Sequence, residues 1–302
     1  AKETAIVAVA KAEGLDAVID RDAKTVTVSF DASFSRGTVI VMAYDLADNV
    51  IVKPLFYKAA TLGTVAISTP DQLVAFAAAV NAGGEEAAAK AVLTQDIDMK
   101  DVAWTPIGNG AYTTANAMTG PAFQGTFDGQ GHKITGLYLE NKGTYNDGSS
   151  YYTALFGLCD GATIKNVSVY GEGKSITRYV AGIVGRACGV FTHRTTTIEN
   201  CHNYVTLTGT PTNDQIYGHA GVVASAQDTV IRSCSNQADI TGYEGYTGGI
   251  VAVASSGSTV IENCWNTGDI HLRGWQSSFR GVGGIAGCVR ETVEISNCYN
   301  TG

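Results

Sequence analysis

Five histidines, a scatter of carboxylates and seven cysteines are the side chains of this 302-residue chain best suited to move protons or hold metal. Their spacing limits what they can do. Asp128-Gly129-Gln130-Gly131-His132 brings an acid and a base together. Two glycines permit a tight corner and an Asp there bonds its own backbone, so a turn is the expectation. Asp96, Asp98 and Asp101 offer carboxylates to calcium, but Asp96 and Asp98 share one strand face and the glycine and closing Glu of an EF-type loop are missing. None of His132, His193, His202, His219 and His271 opens a His-Glu-x-x-His zinc motif. No Gly-x-Ser-x-Gly elbow, Walker loop or dinucleotide fingerprint follows a strand. The cysteines, odd in number, form no Cys-x-x-Cys pair and no disulfide framework. The expectation is a chain with no catalytic residue, no metal ligand set and no cofactor.

What positions these residues is a repeat. Ile198-Glu199-Asn200-Cys201, Ile231-Arg232-Ser233-Cys234, Ile261-Glu262-Asn263-Cys264 and Ile295-Ser296-Asn297-Cys298 share one frame, which Ile164-Lys165-Asn166-Val167 and Ile134-Thr135-Gly136-Leu137 extend upstream. From Ile134 the isoleucines recur at 30, 34, 33, 30 and 34 residues, a solenoid period. Ahead of each stands a small and aliphatic block such as Gly182-Ile183-Val184-Gly185 or Gly249-Ile250-Val251-Ala252, and after each cysteine a further strand. Three short strands per repeat, rich in Ile and Val and bounded by Gly or Asn, describe one coil of a parallel β-helix.

The Ile-to-Cys offset of three cannot lie on one face of a strand whose period is two, so the chain must bend between them. The residue before the Cys slot is Gly136, Asn166, Asn200, Ser233, Asn263 or Asn297, types that tolerate the left-handed corner, Ser least. Two residues after the cysteines come Asn203, Asn236, Asn266 and Asn300, on the inner face. Stacked at ~4.8 Å, buried amides can bond rung to rung as in cross-β ladders. Cys201, Cys234, Cys264 and Cys298 share a slot with Val167 and Leu137, which reads as packing. Glu199 and Glu262 occupy equivalent outward slots with Arg232 between them, more a charge ladder than the paired carboxylates of a glycosidase.

Residues 1–60 lack the repeat and read as a small β-rich α+β module. A short helix is expected over Glu3–Ala12, and strands over Lys24–Phe30, Thr38–Tyr44 and Asn49–Leu55. Residues 61–302 form the solenoid. Thr69-Pro70-Asp71-Gln72 starts a helix of about 69–82 whose Leu73, Phe76, Ala77 and Val80 face covers the end of the core. Lys90–Ile97 with Val102–Ile107 would be the first coil and Phe123–Leu139 the second, in a total of six or seven. The final Asn297-Cys298-Tyr299-Asn300-Thr301-Gly302 stops in mid-coil, which predicts further repeats or domains beyond it.

Composition agrees with an all-β body: 36 glycines and only 16% charged residues. A net charge of −8 argues against nucleic acid as a partner, and no apolar run reaches the ~18–20 residues that insert in a membrane.

Phe123-Gln124-Gly125-Thr126-Phe127-Asp128-Gly129-Gln130-Gly131-His132-Lys133-Ile134-Thr135-Gly136-Leu137 carries a family likeness. With Asp96-Ile97-Asp98-Met99 and Trp104-Thr105-Pro106-Ile107-Gly108 before it, and Gly-Gly-Ile-Ala-Gly and Asn-Cys-Tyr-Asn-Thr-Gly after it, it resembles the GLUG-repeat family of bacterial surface proteins. The likeness runs from about residue 65 to the end. It implies a right-handed parallel β-helix, secreted or displayed on the cell surface, as in adhesins and the non-catalytic part of some immunoglobulin-A-cleaving peptidases.

Insertions gather at one corner of the coil and carry aromatic residues: Tyr151 and Tyr152, Tyr179, Tyr217, Tyr243 and Tyr246, Trp275 and Phe279. Rings on loops held by a rigid scaffold suit a host glycan or host surface protein; the alternative is that they pack over the corner beneath. A second row, Tyr138, Ser168, His202, Ser235, Trp265 and Tyr299, should point outward. The expected function is an adhesin-like segment presenting these loops. A non-catalytic spacer of a large secreted enzyme comes next, and a carbohydrate-active enzyme third.

Overall fold

The computed structural model describes residues 4–9, 15–20, 25–30, 38–45, 50–56, 64–112, 118–141, 152–175, 179–209, 218–255, 257–274, 280–290 and 292–302. It divides into two compact units, Ala1–Val65 and Ala66–Gly302.

The first unit is antiparallel. Thr4–Val9 pairs with Thr38–Asp45, which pairs with Val50–Phe56, and Leu15–Asp20 forms a hairpin with Thr25–Phe30. The helix expected over Glu3–Ala12 is therefore a strand, and Leu15–Asp20 is a strand the sequence reading did not mark. Four of the six residues of Thr4-Ala5-Ile6-Val7-Ala8-Val9 are β-branched, and a partner strand decides such a segment against a helix.

In the second unit the helix Pro70–Ala82 is capped by Thr69, whose Oγ1 accepts from the Gln72 amide at 3.2 Å. The Gln72 side chain reaches back to accept from Ser68 N at 2.7 Å, so two amides at the helix entry are satisfied. Gly83, at φ 80°, ends the helix. Its buried face of Leu73, Phe76, Ala77 and Val80 lies against the first rungs. Phe76 stands 5.9 Å from Phe123 and 6.2 Å from Phe127, and both of these rings meet Phe156.

Beyond the helix the chain winds as a parallel β-solenoid. One face stacks Lys90–Leu93, Thr126–Asp128, Thr163–Ser175, Thr196–Gly209, Thr229–Arg232, Thr259–Glu262 and Val293–Ser296, all parallel. A second face stacks Tyr152–Thr153, Tyr179–Ala181, Gly218–Ala220, Gly245–Gly248 and Arg280–Gly283. The third stacks Phe156–Asp160, Val184–Cys188, Val223–Ala226, Val251–Ala254 and Ala286–Val289. Five turns are complete on all three faces, fewer than the six or seven expected, because below Phe156–Asp160 the third face continues only as the single bridges Ile107–Phe156 and Phe123–Cys159.

Register follows the isoleucines with one exception. Ile164, Ile198, Ile231, Ile261 and Ile295 lie directly over one another. The first four are fully buried, each adding roughly 1.5–3 kcal/mol, and Ile295, on the last rung, is 43% exposed. Below Ile164 stands Phe127, not Ile134. Ile134 pairs with Ile97 beneath and Val169 above, one column further along the coil, and Leu137 pairs with Gly171 rather than Val167. The reason is local. The second turn makes its left-handed corner at Gln130 (φ 51°) and Gly131 (φ 82°), one corner earlier than Gly136. In the later turns the corner falls at Asn166, Asn200, Ser233, Asn263 and Asn297, all with φ between 50° and 56°.

Candidate functional site

Between the kink and the next corner, inner and outer positions alternate, and the two sides carry different chemistry. Inside, the column Ile97, Ile134, Val169, Asn203, Asn236, Asn266, Asn300 changes from aliphatic to amide partway up. Each amide donates to the next: Asn203 Nδ2 to Asn236 Oδ1 at 2.7 Å, Asn236 to Asn266 at 2.6 Å, Asn266 to Asn300 at 2.6 Å. The other hydrogen of each Nδ2 goes to the carbonyl two residues ahead, Val205, Ala238, Gly268 or Gly302. Buried amides satisfied this way avoid the desolvation cost of an unpaired polar group, ~1–3 kcal/mol. The row is packed against a glycine in every turn: a Cβ on Gly182, Gly221, Gly249 or Gly284 would collide with Asn203, Asn236, Asn266 or Asn300 respectively.

Next to the amides runs the thiol column. Cys201 stands over Val167, and Cys201, Cys234 and Cys264 are wholly buried. Each sulfur lies 3.5–3.7 Å from the carbonyl of the isoleucine one rung back. Burial, with the neighbouring thiol, pushes Cys234 well above the usual thiol range. For Cys264 the hydrogen bond with Cys234 acts first, and burial adds to it.

On the outer side of the strands Ser168, His202, Ser235, Trp265 and Tyr299 form one row, in which Ser235 is fully buried beneath His202 and Gln237. Rings in it bridge rungs: His202 to Trp265 at 5.6 Å and Trp265 to Tyr299 at 6.3 Å, nearly parallel. His202 Nδ1 is 2.9 Å from Ser235 Oγ. Beside this row Tyr170 and Tyr204 stack face to face at 4.2 Å, Gln237 Nε2 donates to Tyr204 Oη at 2.7 Å, and the Lys133 ammonium lies 5.8 Å from the Tyr170 ring. Tyr138, 38% exposed, opens a third row with Glu172 and Thr206. Tyr170 and Tyr204 were not singled out in the sequence; their spacing of 34 residues was the available signal.

The loop aromatics behave differently. Tyr152 is 3% exposed, its ring 5.7 Å from Tyr179. Tyr246 is 8% exposed, with Arg290 stacked on its ring at 5.7 Å and donating to its hydroxyl at 3.1 Å. Of the two readings of the loop aromatics, packing over the corner beneath is the one these two rings follow. Tyr179 and Tyr243 are half-buried, whereas Tyr151, Tyr217, Trp275 and Phe279 lie outside the described residues. Tyr152 also lines a shallow cleft of about 180 Å³ with Trp104, Pro106, Leu139, Glu140 and Thr153.

The candidate acids are engaged with backbone and neighbours. Asp128 Oδ1 accepts from Gln130 N at 2.9 Å and from Asn166 at 2.9 Å, and Lys165 lies 3.2 Å from its other oxygen. Burial raises its pKa, but these hydrogen bonds outweigh it and hold the carboxyl below the usual range. Asp96 accepts from Lys133 N and His132, the backbone bond leading a downward shift. Asp98 accepts from Lys100 N. Glu199 and Arg232 pair at 3.0 Å, with Glu262 next in the same row. Among the described residues no three His, Cys, Asp or Glu side chains converge as a metal site, and no helix is long and apolar enough to cross a membrane.

No family model and no curated protein matches this chain. Among solved structures it is similar to a candidate immunoglobulin A1 protease from Bacteroides ovatus. The identity is 17% and the TM-score 0.47, over 78% of this chain and 74% of that one.

Proposed function

We propose that the solenoid is a rigid, non-catalytic display module of a secreted or cell-surface bacterial protein, serving to hold other parts of that protein at a fixed distance. The observation that carries this reading is the continuity of the inner columns: isoleucine, thiol and amide each stack through successive turns with every amide bonded. Such a stack resists bending because tilting one rung breaks hydrogen bonds on both sides. The inward turn of Tyr152 and Tyr246 fits the same role, as does the repeat's resemblance to GLUG surface proteins. Excising one 30-residue turn, Ile231 through Val260, tests it, since Ile261 then stacks on Ile198 in the same register. A cooperatively folded rod shortened by one ~4.8 Å rung is expected. Collapse of folding would contradict a module built of interchangeable turns.

A second reading rests on the outward rings. Trp265, Tyr204, His202 and Tyr138 stand on strands rather than loops, with the exposed Gln237 amide on the Tyr204 hydroxyl. Rings fixed this way beside hydroxyls and amides suit glycan recognition. Glycan-array binding by the whole chain that disappears in Trp265→Ala and Tyr138→Ala supports recognition; no binding to any glycan leaves the display role alone.

A further inference from the structure

We propose that the thiol column Cys201, Cys234, Cys264 and Cys298 is a binding site for soft monovalent d10 cations, Cu(I) or Ag(I), each held linearly between the sulfurs of adjacent rungs. The four cysteines are free and occupy one slot on consecutive turns. In-register parallel rungs lie ~4.8 Å apart. Side chains that point the same way from stacked rungs keep their Cβ atoms at that same separation, beyond the ~3.5–4.5 Å of a disulfide. Two metal–sulfur bonds of ~2.3 Å laid end to end span ~4.6 Å, so a two-coordinate ion fits the gap. Adjacent rungs already touch at the column: the Cys264 backbone amide donates to Cys298 Sγ at 3.4 Å.

The surroundings select the ion. Among the described residues no three His, Cys, Asp or Glu side chains converge at the column, which leaves tetrahedral zinc short of ligands. The other nearby atoms are backbone carbonyls, 3.2–3.3 Å away on the residues two before each sulfur, and hard oxygens compete poorly for soft cations. Val167 closes the lower end. Binding exchanges protons for metal: two thiols and one M⁺ give a linear thiolate–M–thiolate unit of net charge −1 and two protons released to solvent. Loading therefore rises with pH. No redox step is involved.

The site predicts that binding follows adjacency, not thiol number. Cys201→Val/Cys234→Val leaves Cys264 beside Cys298; Cys234→Val/Cys264→Val leaves Cys201 and Cys298 three rungs apart. Both double variants keep five of the seven cysteines. Valine already fills this slot at Val167. In anaerobic titration with Ag(I) alone, the native chain is expected to bind two ions in the column. The first variant should lose one of them and the second both. Equal binding by the two variants would overturn the proposal. X-ray absorption of the Ag(I)-loaded native chain gives an independent reading: two sulfur neighbours and no nitrogen or oxygen is the expected shell. Three or four ligands would overturn it, whether or not the variants fold.

Discussion

The lower and upper parts of one inner column solve the same packing problem in two ways. Ile97, Ile134 and Val169 fill it with buried hydrocarbon. Asn203, Asn236, Asn266 and Asn300 fill it with a hydrogen-bonded amide row. The neighbouring corner changes with them. Where the amides stand, the corner holds Gly182, Gly221, Gly249 or Gly284. In the Val169 turn, the stretch from Thr153 to Phe156 crosses the same corner one residue shorter, since Thr153 pairs with Val180 and Phe156 with Val184. Glycine and asparagine thus act as one device: the extra, side-chain-free residue makes room for an amide that bonds in both directions. The aliphatic part is stabilised by burial, rung by rung, and the amide part by a chain of directional bonds.

The two parts should fail differently. Gly221→Ala has the largest expected effect, more than ~4 kcal/mol, because its Cβ meets Asn236 and the Gly249 carbonyl, which cannot yield without moving a rung. Urea unfolding should show a large drop in midpoint or no folded protein; a near-native midpoint would mean the corner has slack.

The upper part also contains a buried His219, whose ring nitrogens find no partner and whose pKa burial lowers to about 4. Between that value and the ~6.5 of an exposed histidine the unfolded chain binds a proton that the folded chain does not. Stability therefore falls as pH drops from about 6.5 to about 4, by about 3 kcal/mol. Melts at pH 7.5 and 4.5 should show this loss, with His219→Leu removing most of it. A pH response unchanged by that substitution would refute the assignment.

Asn236→Ala should cost about 2 kcal/mol and, unlike Val169→Ala, spread to its neighbours: Asn203 Nδ2 loses its acceptor and Asn266 Oδ1 its donor. Amide hydrogen exchange would locate the effect; faster exchange confined to one rung would argue against a coupled row. The smallest effect is expected at Ser233, the one serine among the left-handed corners, where Ser233→Asn should add ~0.5 kcal/mol.

Much of this was legible in the amino-acid order because solenoid rungs repeat their constraints. The Ile-to-Cys offset of three announced a bend, Asn at the bend announced its conformation, and Asn203 with its successors announced an inner polar row. The Thr69 cap was legible for the same reason, being local chemistry. Register at Ile134 was not: Phe127 and Ile134 are both apolar, and each is followed within a few residues by a glycine able to turn left-handed, so only pairing with Ile164 or Val169 separates them. Thr4–Val9 suits helix or strand until a partner is present. The direction of Tyr152 and Tyr246 depends on the surface beneath them, which a loop's own residues do not reveal.

The pairing of glycine corner with inner amide is tested most directly by a double-mutant cycle on the first amide turn, Asn203→Val combined with deletion of Gly182, which recreates the Val169 arrangement one rung higher. Each change alone should destabilise the fold, and together they should cost at least about 1 kcal/mol less than their sum in urea unfolding. Strict additivity would contradict the claim that the two positions form one unit.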